Sequence, residues 1–217
     1  MKKGVFLLVV LLVGALFLSA PAMAIQLGFQ NITNNNPVNA AIGEAQLSVE
    51  VTPYPSSTNQ VLFYFSNVGP SRSSIADVYF DDGDLFTFGL ILNSTGVSFS
   101  PGAAPGILPG GNAIHFVANQ ALSADSNSPV QPNGVNPGEN LGIVLVLLPG
   151  NDFQNVLDEL ASGDLRVGIH VQGFASGGSE SFVNNPNPVP EPATMLLLGT
   201  GLIGLAAFGR KRFSIGA

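Results

Sequence analysis

Asp77, Asp81, Asp82 and Asp84 fall within eight residues and form the densest acidic cluster in the chain. Calcium takes about six to eight oxygen ligands, and a loop with three carboxylates and its own carbonyls supplies several of them. Asp81, Asp82 and Asp84 are therefore the candidate calcium ligands, with Asp77 on the flanking strand. The spacing is not that of an EF-hand, and the same residues also suit a solvated hairpin turn. The histidines are His115 and His170. A metal site at either needs a second ligand brought in by the fold, because no ligand spacing surrounds them. Ser179 lies in Gly177-Gly178-Ser179-Glu180-Ser181, which is not the nucleophile elbow of serine hydrolases. Asp158 and Glu159 are adjacent and point to different helix faces, while Glu44, Glu50 and Glu180 are scattered. Residues 25–184 hold no lysine, which removes the phosphate-binding loop. The expectation is a non-enzymatic protein with no cofactor, calcium being the one candidate. A sugar-binding platform would rest on Tyr54, Tyr64 and Tyr79, since there is no tryptophan.

The elements that must carry these residues read mostly as strands. Leu47, Val49 and Val51 alternate with polar residues, and Val61 to Phe65 is an aromatic, apolar run. Ile75 to Phe80 and Leu85 to Leu92 flank Asp81-Asp82-Gly83-Asp84, which predicts a hairpin between them. Val97 to Phe99, Ala113 to Val117, Leu141 to Leu148 and Leu165 to Val171 complete eight strand candidates. On the last of these, Arg166, Gly168, His170 and Gln172 share the polar face. One helix is expected, because Phe153, Val156, Leu157 and Leu160 lie one helical turn apart. Asn151 and Gln154 suit a capping box at its start, and Gly163 suits its end. Short strands with turn signals point to an antiparallel β-sandwich over residues 25–184, with long Gly/Pro-rich loops at 101–111 and 119–140.

Those 160 residues carry thirteen acidic side chains against Arg72 and Arg166 alone, a balance of −11. A nucleic-acid partner needs a basic footprint and is excluded. Eleven phenylalanines supply a core, and the absence of cysteine excludes disulfides and thiol chemistry.

Both ends read as addresses. Lys2 and Lys3 precede an apolar run from Val5 to Leu18, and Ala22 and Ala24 give the small-x-small pattern cut by signal peptidase. Residues 1–24 are thus read as a secretory signal peptide, with the mature chain starting at Ile25. At the other end, residues 185–192 are a proline-rich linker whose alternate prolines forbid helix. Residues 193–209 form an apolar, glycine-bearing run read as a transmembrane helix. Residues 210–217 form a cytoplasmic tail headed by Arg210, Lys211 and Arg212, the basic membrane stop.

Val189-Pro190-Glu191-Pro192, the apolar span and Arg210-Lys211-Arg212 occur in that order at the C-terminus, and together they resemble the PEP-CTERM protein-sorting signal. Phrases such as Gly168-Ile169-His170-Val171-Gln172-Gly173-Phe174 and Ser179-Glu180-Ser181-Phe182-Val183-Asn184 are also similar to stretches of other proteins with this signal. The resemblance implies recognition by an exosortase, a membrane-embedded transpeptidase of Gram-negative bacteria. It implies an inner-membrane precursor facing the periplasm, then delivery to the cell surface or extracellular matrix, in association with exopolysaccharide or biofilm. The alternatives are a carbohydrate- or calcium-binding module, and a hydrolase whose residues meet only in three dimensions.

Overall fold

The computed structural model describes residues 24–188, apart from Ser56 and Gly83. The signal peptide up to Met23, the Val189–Pro192 motif, the apolar span and the basic tail lie outside the described residues, as does Gly83 of the acidic turn. Among the described residues, no helix is long and apolar enough to cross a membrane.

Ten strands form the molecule. The first five are β1 (Ile25–Asn31), β2 (Leu47–Pro53), β3 (Gln60–Asn67), β4 (Ser74–Asp82) and β5 (Phe86–Asn93). The others are β6 (Phe99–Pro101), β7 (Ala124–Ser126), β8 (Asn140–Leu147), β9 (Leu165–Gln172) and β10 (Glu180–Pro188). Three helices join them: α1 (Pro37–Gln46), the single turn α2 (Val130–Asn133) and α3 (Phe153–Ser162).

The strands make one antiparallel sheet in the order β5-β8-β3-β2-β1-β10-β9-β4-β7-β6. This corrects the expected two-sheet sandwich. The sheet curls until its two edges nearly meet. There the Asn93 side chain imitates a strand partner: its Oδ1 accepts from Phe99 N at 2.9 Å and its Nδ2 donates to Phe99 O at 3.3 Å. The alternation read from the sequence puts Val49, Phe63, Phe65, Phe80, Ile143, Leu145, Val167 and Ile169 on one concave face, all fully buried. The rings of Phe63 on β3 and Phe80 on β4, five positions apart in the sheet, meet edge to face at 4.9 Å across the interior. Such pairs add about 0.5–1.5 kcal/mol beyond the burial of their area. A sandwich and a nearly closed barrel share the same period-2 pattern, so closure is decided by strand order.

The expected hairpin at Asp81–Asp84 does not form. β4 pairs with β9 and β7, whereas β5 pairs with β8 at the sheet's far edge. Asp82 sets this crossing: its buried carboxylate accepts from Phe86 N at 3.2 Å and from Asn119 Nδ2 at 3.1 Å. The expected strand Ala113–Val117 is instead a 3₁₀ turn (Gly111–Ile114), followed by His115 at φ +54°. The expected helix is present as α3. Its N-cap is Asp152 with Asn155 closing the box, one residue beyond the expected pair, and Gly163 ends it at φ +84°. Sequence reading missed α1, β1, β7 and β10. β10 also runs past the expected domain end at Asn184 to Pro188, which lies opposite Leu27 of β1. Two extra residues of β10 bulge between the pairs Phe29–Asn184 and Leu27–Pro188, which is how a strand tolerates prolines.

Candidate functional site

Two regions hold the residues that could act: the end of the sheet where the chain enters and leaves, and the outer face of β4 and β9. At the first, Ala24 is exposed and directly precedes β1, and Pro188 closes the neighbouring β10. The register carries this level around the sheet through Ile25–Val51, Pro53–Val61, Gln60–Val146 and Phe86–Leu147. On the other side Asp82 pairs with Leu165. This end therefore includes the Asp82–Phe86 turn, α3 and its flanks. It gathers Asp82, Asp84, Asp152, Asp158, Glu159 and Asp164, with no lysine or arginine in residues 82–86 or 147–165. The crowding shows in the carboxyl groups. Asp82 is pushed up to about 6, chiefly by burial, despite its hydrogen bonds to Asn119 and Phe86. Glu159 is raised by burial and by Asp164.

On the outer face, Asp77, Tyr79 and Asp81 of β4 lie beside His170, Gly168 and Arg166 of β9. Arg166 and Asp81 form an ion pair, and the guanidinium also donates to Ile114 O at 2.8 Å and His115 O at 2.5 Å. It stacks on Phe116 at 5.3 Å. Asp81 accepts from Val117 N at 3.1 Å as well. The Gly/Pro-rich segment 102–123 is thereby drawn over the outer face, where Leu108 and Phe116 pack with Tyr79 and Val183 in a second apolar cluster. Gly168 makes this possible, since a Cβ there would stand 2.7 Å from Leu108 Cδ2 and 3.0 Å from Phe116 Cζ. Tyr79 Oη donates to Pro105 O at 3.0 Å. Its hydroxyl is held far above the usual phenol range by burial and by Asp77 and Asp125.

The candidate calcium ligands are engaged elsewhere: Asp81 with Arg166 and Val117, Asp82 with Phe86 and Asn119. Among the described residues, no group of three or more histidine or acidic side chains is placed to hold a metal ion. His115 is exposed and serves Arg166 through its carbonyl. His170 Nδ1 lies 3.0 Å from Asp77 Oδ2, an ion-pair geometry hidden in the acidic cluster until the fold is known. Ser181 of β10 is opposite His170, so serine, histidine and aspartate follow one another across three strands. The order is that of a nucleophile, base and acid, but Ser181 Oγ is buried and bonds to no partner, His170 included. Asp125, opposite Asp77 on β7, was missed altogether.

Glu180 shows how a scattered carboxylate acquires a structural role. It accepts from Thr33 Oγ1 at 2.6 Å, Asn31 Nδ2 at 3.1 Å, Asn35 N at 3.0 Å and Asn36 N at 2.6 Å. Burial opposes its charge, but these donors outweigh burial and lower its pKa. Asn36 in turn caps α1.

Residues 188–212 match the family model of the PEP-CTERM protein-sorting motif. The match begins at the last residue of β10, so the sorting motif abuts the sheet directly. It implies export, a membrane-anchored precursor in a Gram-negative bacterium and processing by an exosortase-type enzyme. No curated protein matches the chain.

Proposed function

We propose that this is an exported, non-enzymatic protein of the cell surface or extracellular matrix, associated with exopolysaccharide and delivered by its C-terminal tail. Signal peptidase frees Ile25. The apolar span at 193–209 holds the precursor in the inner membrane with the β-domain in the periplasm. The sorting enzyme then cuts within Val189–Pro192 and releases or transfers the domain.

The observation that carries this reading is the match of residues 188–212 to the sorting motif, joined without a spacer to a strand of a folded domain. Two features support it. Ile25 is both the first residue after the expected cleavage and the first residue of β1, so processing leaves no ragged leader. The sheet end beside the tail is acidic, which repels an anionic lipid surface and favours departure once the tether is cut. The non-enzymatic reading is supported by the uses found for the polar side chains. Asp81, Asp82, Glu180 and Arg166 each fix a loop or turn.

The test is replacement of Pro190, Glu191 and Pro192 by alanine in the full chain. These residues lie beyond β10, so the domain folds as before. The form cut only after Ala24 accumulates in the inner membrane, and the surface or medium fraction falls. Intact mass of each fraction reads both cleavages. Release equal to that of the parent overturns the sorting mechanism.

A further inference from the structure

We propose that Asp77 and Asp125 share one proton and act as a latch that holds β6, β7 and the covering segment 102–123 against the outer face of the sheet, opening when that proton is lost. The latch stands at a narrow point of the fold. β7 pairs with β4 through only two residue pairs, Asp77–Asp125 and Val78–Ala124. β6 forms its strand pairing with β7, where Pro101 lies opposite Ala124, and is otherwise tied to β5 by the Asn93 side chain. Both ends of segment 102–123 therefore meet at this two-pair ladder, as in a compact loop with closed ends.

Two carboxylates facing each other across adjacent strands destabilise that ladder unless a proton lies between them. The surroundings of Asp77 leave one place for it. Asp77 is buried; its Oδ2 faces His170 Nδ1 at 3.0 Å, and its Oδ1 is buried without a partner. His170 thus engages Oδ2, and the proposed proton on Asp125 faces the unpartnered Oδ1 of Asp77. Burial first, and Asp77 second, push the Asp125 carboxyl up to about 6. The titratable groups around the pair are Tyr79 on β4 and His170 on β9. Asp81 and Arg166, further along those strands, neutralise each other. β6 presents Ser100 opposite Asp125, and α2 contributes no titratable side chain.

The sign follows. A carboxyl raised in the folded state stabilises below its usual range, and that contribution is lost as pH rises through about 6. Loss of the proton to solvent leaves two facing anions. The covering segment then opens and uncovers Tyr79 and Val183, which it shields with Leu108 and Phe116.

Hydrogen exchange on the full chain in detergent, corrected for intrinsic rates, tests the latch at pH 5 and pH 7.5. Protection of residues 99–126 should fall about tenfold or more at the higher pH, while that of β3 changes far less. Asp125→Asn should keep the segment equally protected at both values. Asp77→Asn, which leaves Asp125 without a facing anion, serves if that variant folds poorly. Carbon NMR of the aspartate carboxyls in the parent is independent of both and should show two groups titrating near 6, Asp82 and Asp125, of which Asp125→Asn removes one. A parent with pH-independent protection, or an Asp125→Asn chain that keeps the parent's pH response, overturns the proposal.

Discussion

Replacing Gly43 by alanine sets two effects of known sign against each other. In the middle of a helix, alanine is favoured over glycine by about 1 kcal/mol. Gly43 lies in α1, where the inner side of the helix rests on Phe182 of β10. A Cβ at position 43 would stand 2.2 Å from Phe182 Cζ and 2.5 and 2.9 Å from the two Cε atoms. Carbon atoms in contact sit about 3.5–4.0 Å apart. The ring or the helix must therefore retreat by more than about 1 Å. The ring has little room, because Phe182 is fully buried. The helix is held by Asn39 Nδ2 donating to Gly177 O at 2.9 Å and by Gln46 Nε2 donating to Asn67 Oδ1 at 2.9 Å. Overpacking of this kind costs about 1–3 kcal/mol and breaking either hydrogen bond about 1 kcal/mol more. The packing term wins, and Gly43→Ala should destabilise by about 1–2 kcal/mol. For a domain of this size the melting temperature falls by about 2–8 °C. Thermal and urea unfolding of the full chain in detergent measure it. Phe182→Leu, which shortens the obstacle, should make the alanine less harmful, so the double variant is more stable than additivity allows. A Gly43→Ala chain as stable as the parent refutes the packing argument and leaves propensity as the governing term.

Arg166→Lys keeps the charge but cannot serve Asp81 and the Ile114 and His115 carbonyls together; a loss of about 1–3 kcal/mol is expected, with faster proteolysis confined to residues 108–117. The pH profile of stability should peak at about pH 4, in the ordinary carboxylate range. Asp82 and Asp125, both raised to about 6, withdraw their contribution as pH rises through that value. Glu180, lowered by its four donors, withdraws its own as pH falls below the ordinary glutamate range. Urea midpoints from pH 3 to pH 8 show the shape, and Glu180→Gln should remove the acid limb that this residue contributes.

The local pattern was enough for the inner face of β2, β3, β8 and β9, because burial on one face of a strand imposes alternation on its own residues. It was also enough for α3 and its left-handed Gly163, and for the sorting tail, whose recognition depends on order along the chain rather than on a fold. α1 escaped because Pro-Val-Asn-Ala-Ala-Ile-Gly-Glu-Ala-Gln has a weak apolar stripe and a glycine whose purpose is Phe182, far away in sequence. β10 escaped because its prolines and asparagines look like linker, while its pairing to β1 is supplied by the opposite end of the chain. The Asp-Gly signal at 82–83 was sound local turn chemistry, yet the strands beside it found partners elsewhere. Strand pairing is chosen among all edges of the closing sheet, and a turn only biases the nearest choice. The same holds for the polar groups. Asp77, Asp125 and His170 are separated by 48 and 45 residues, and nothing in their neighbours announces a common row. Their meeting, and so their chemistry, belongs to the register of β7, β4 and β9, which only the closed sheet determines.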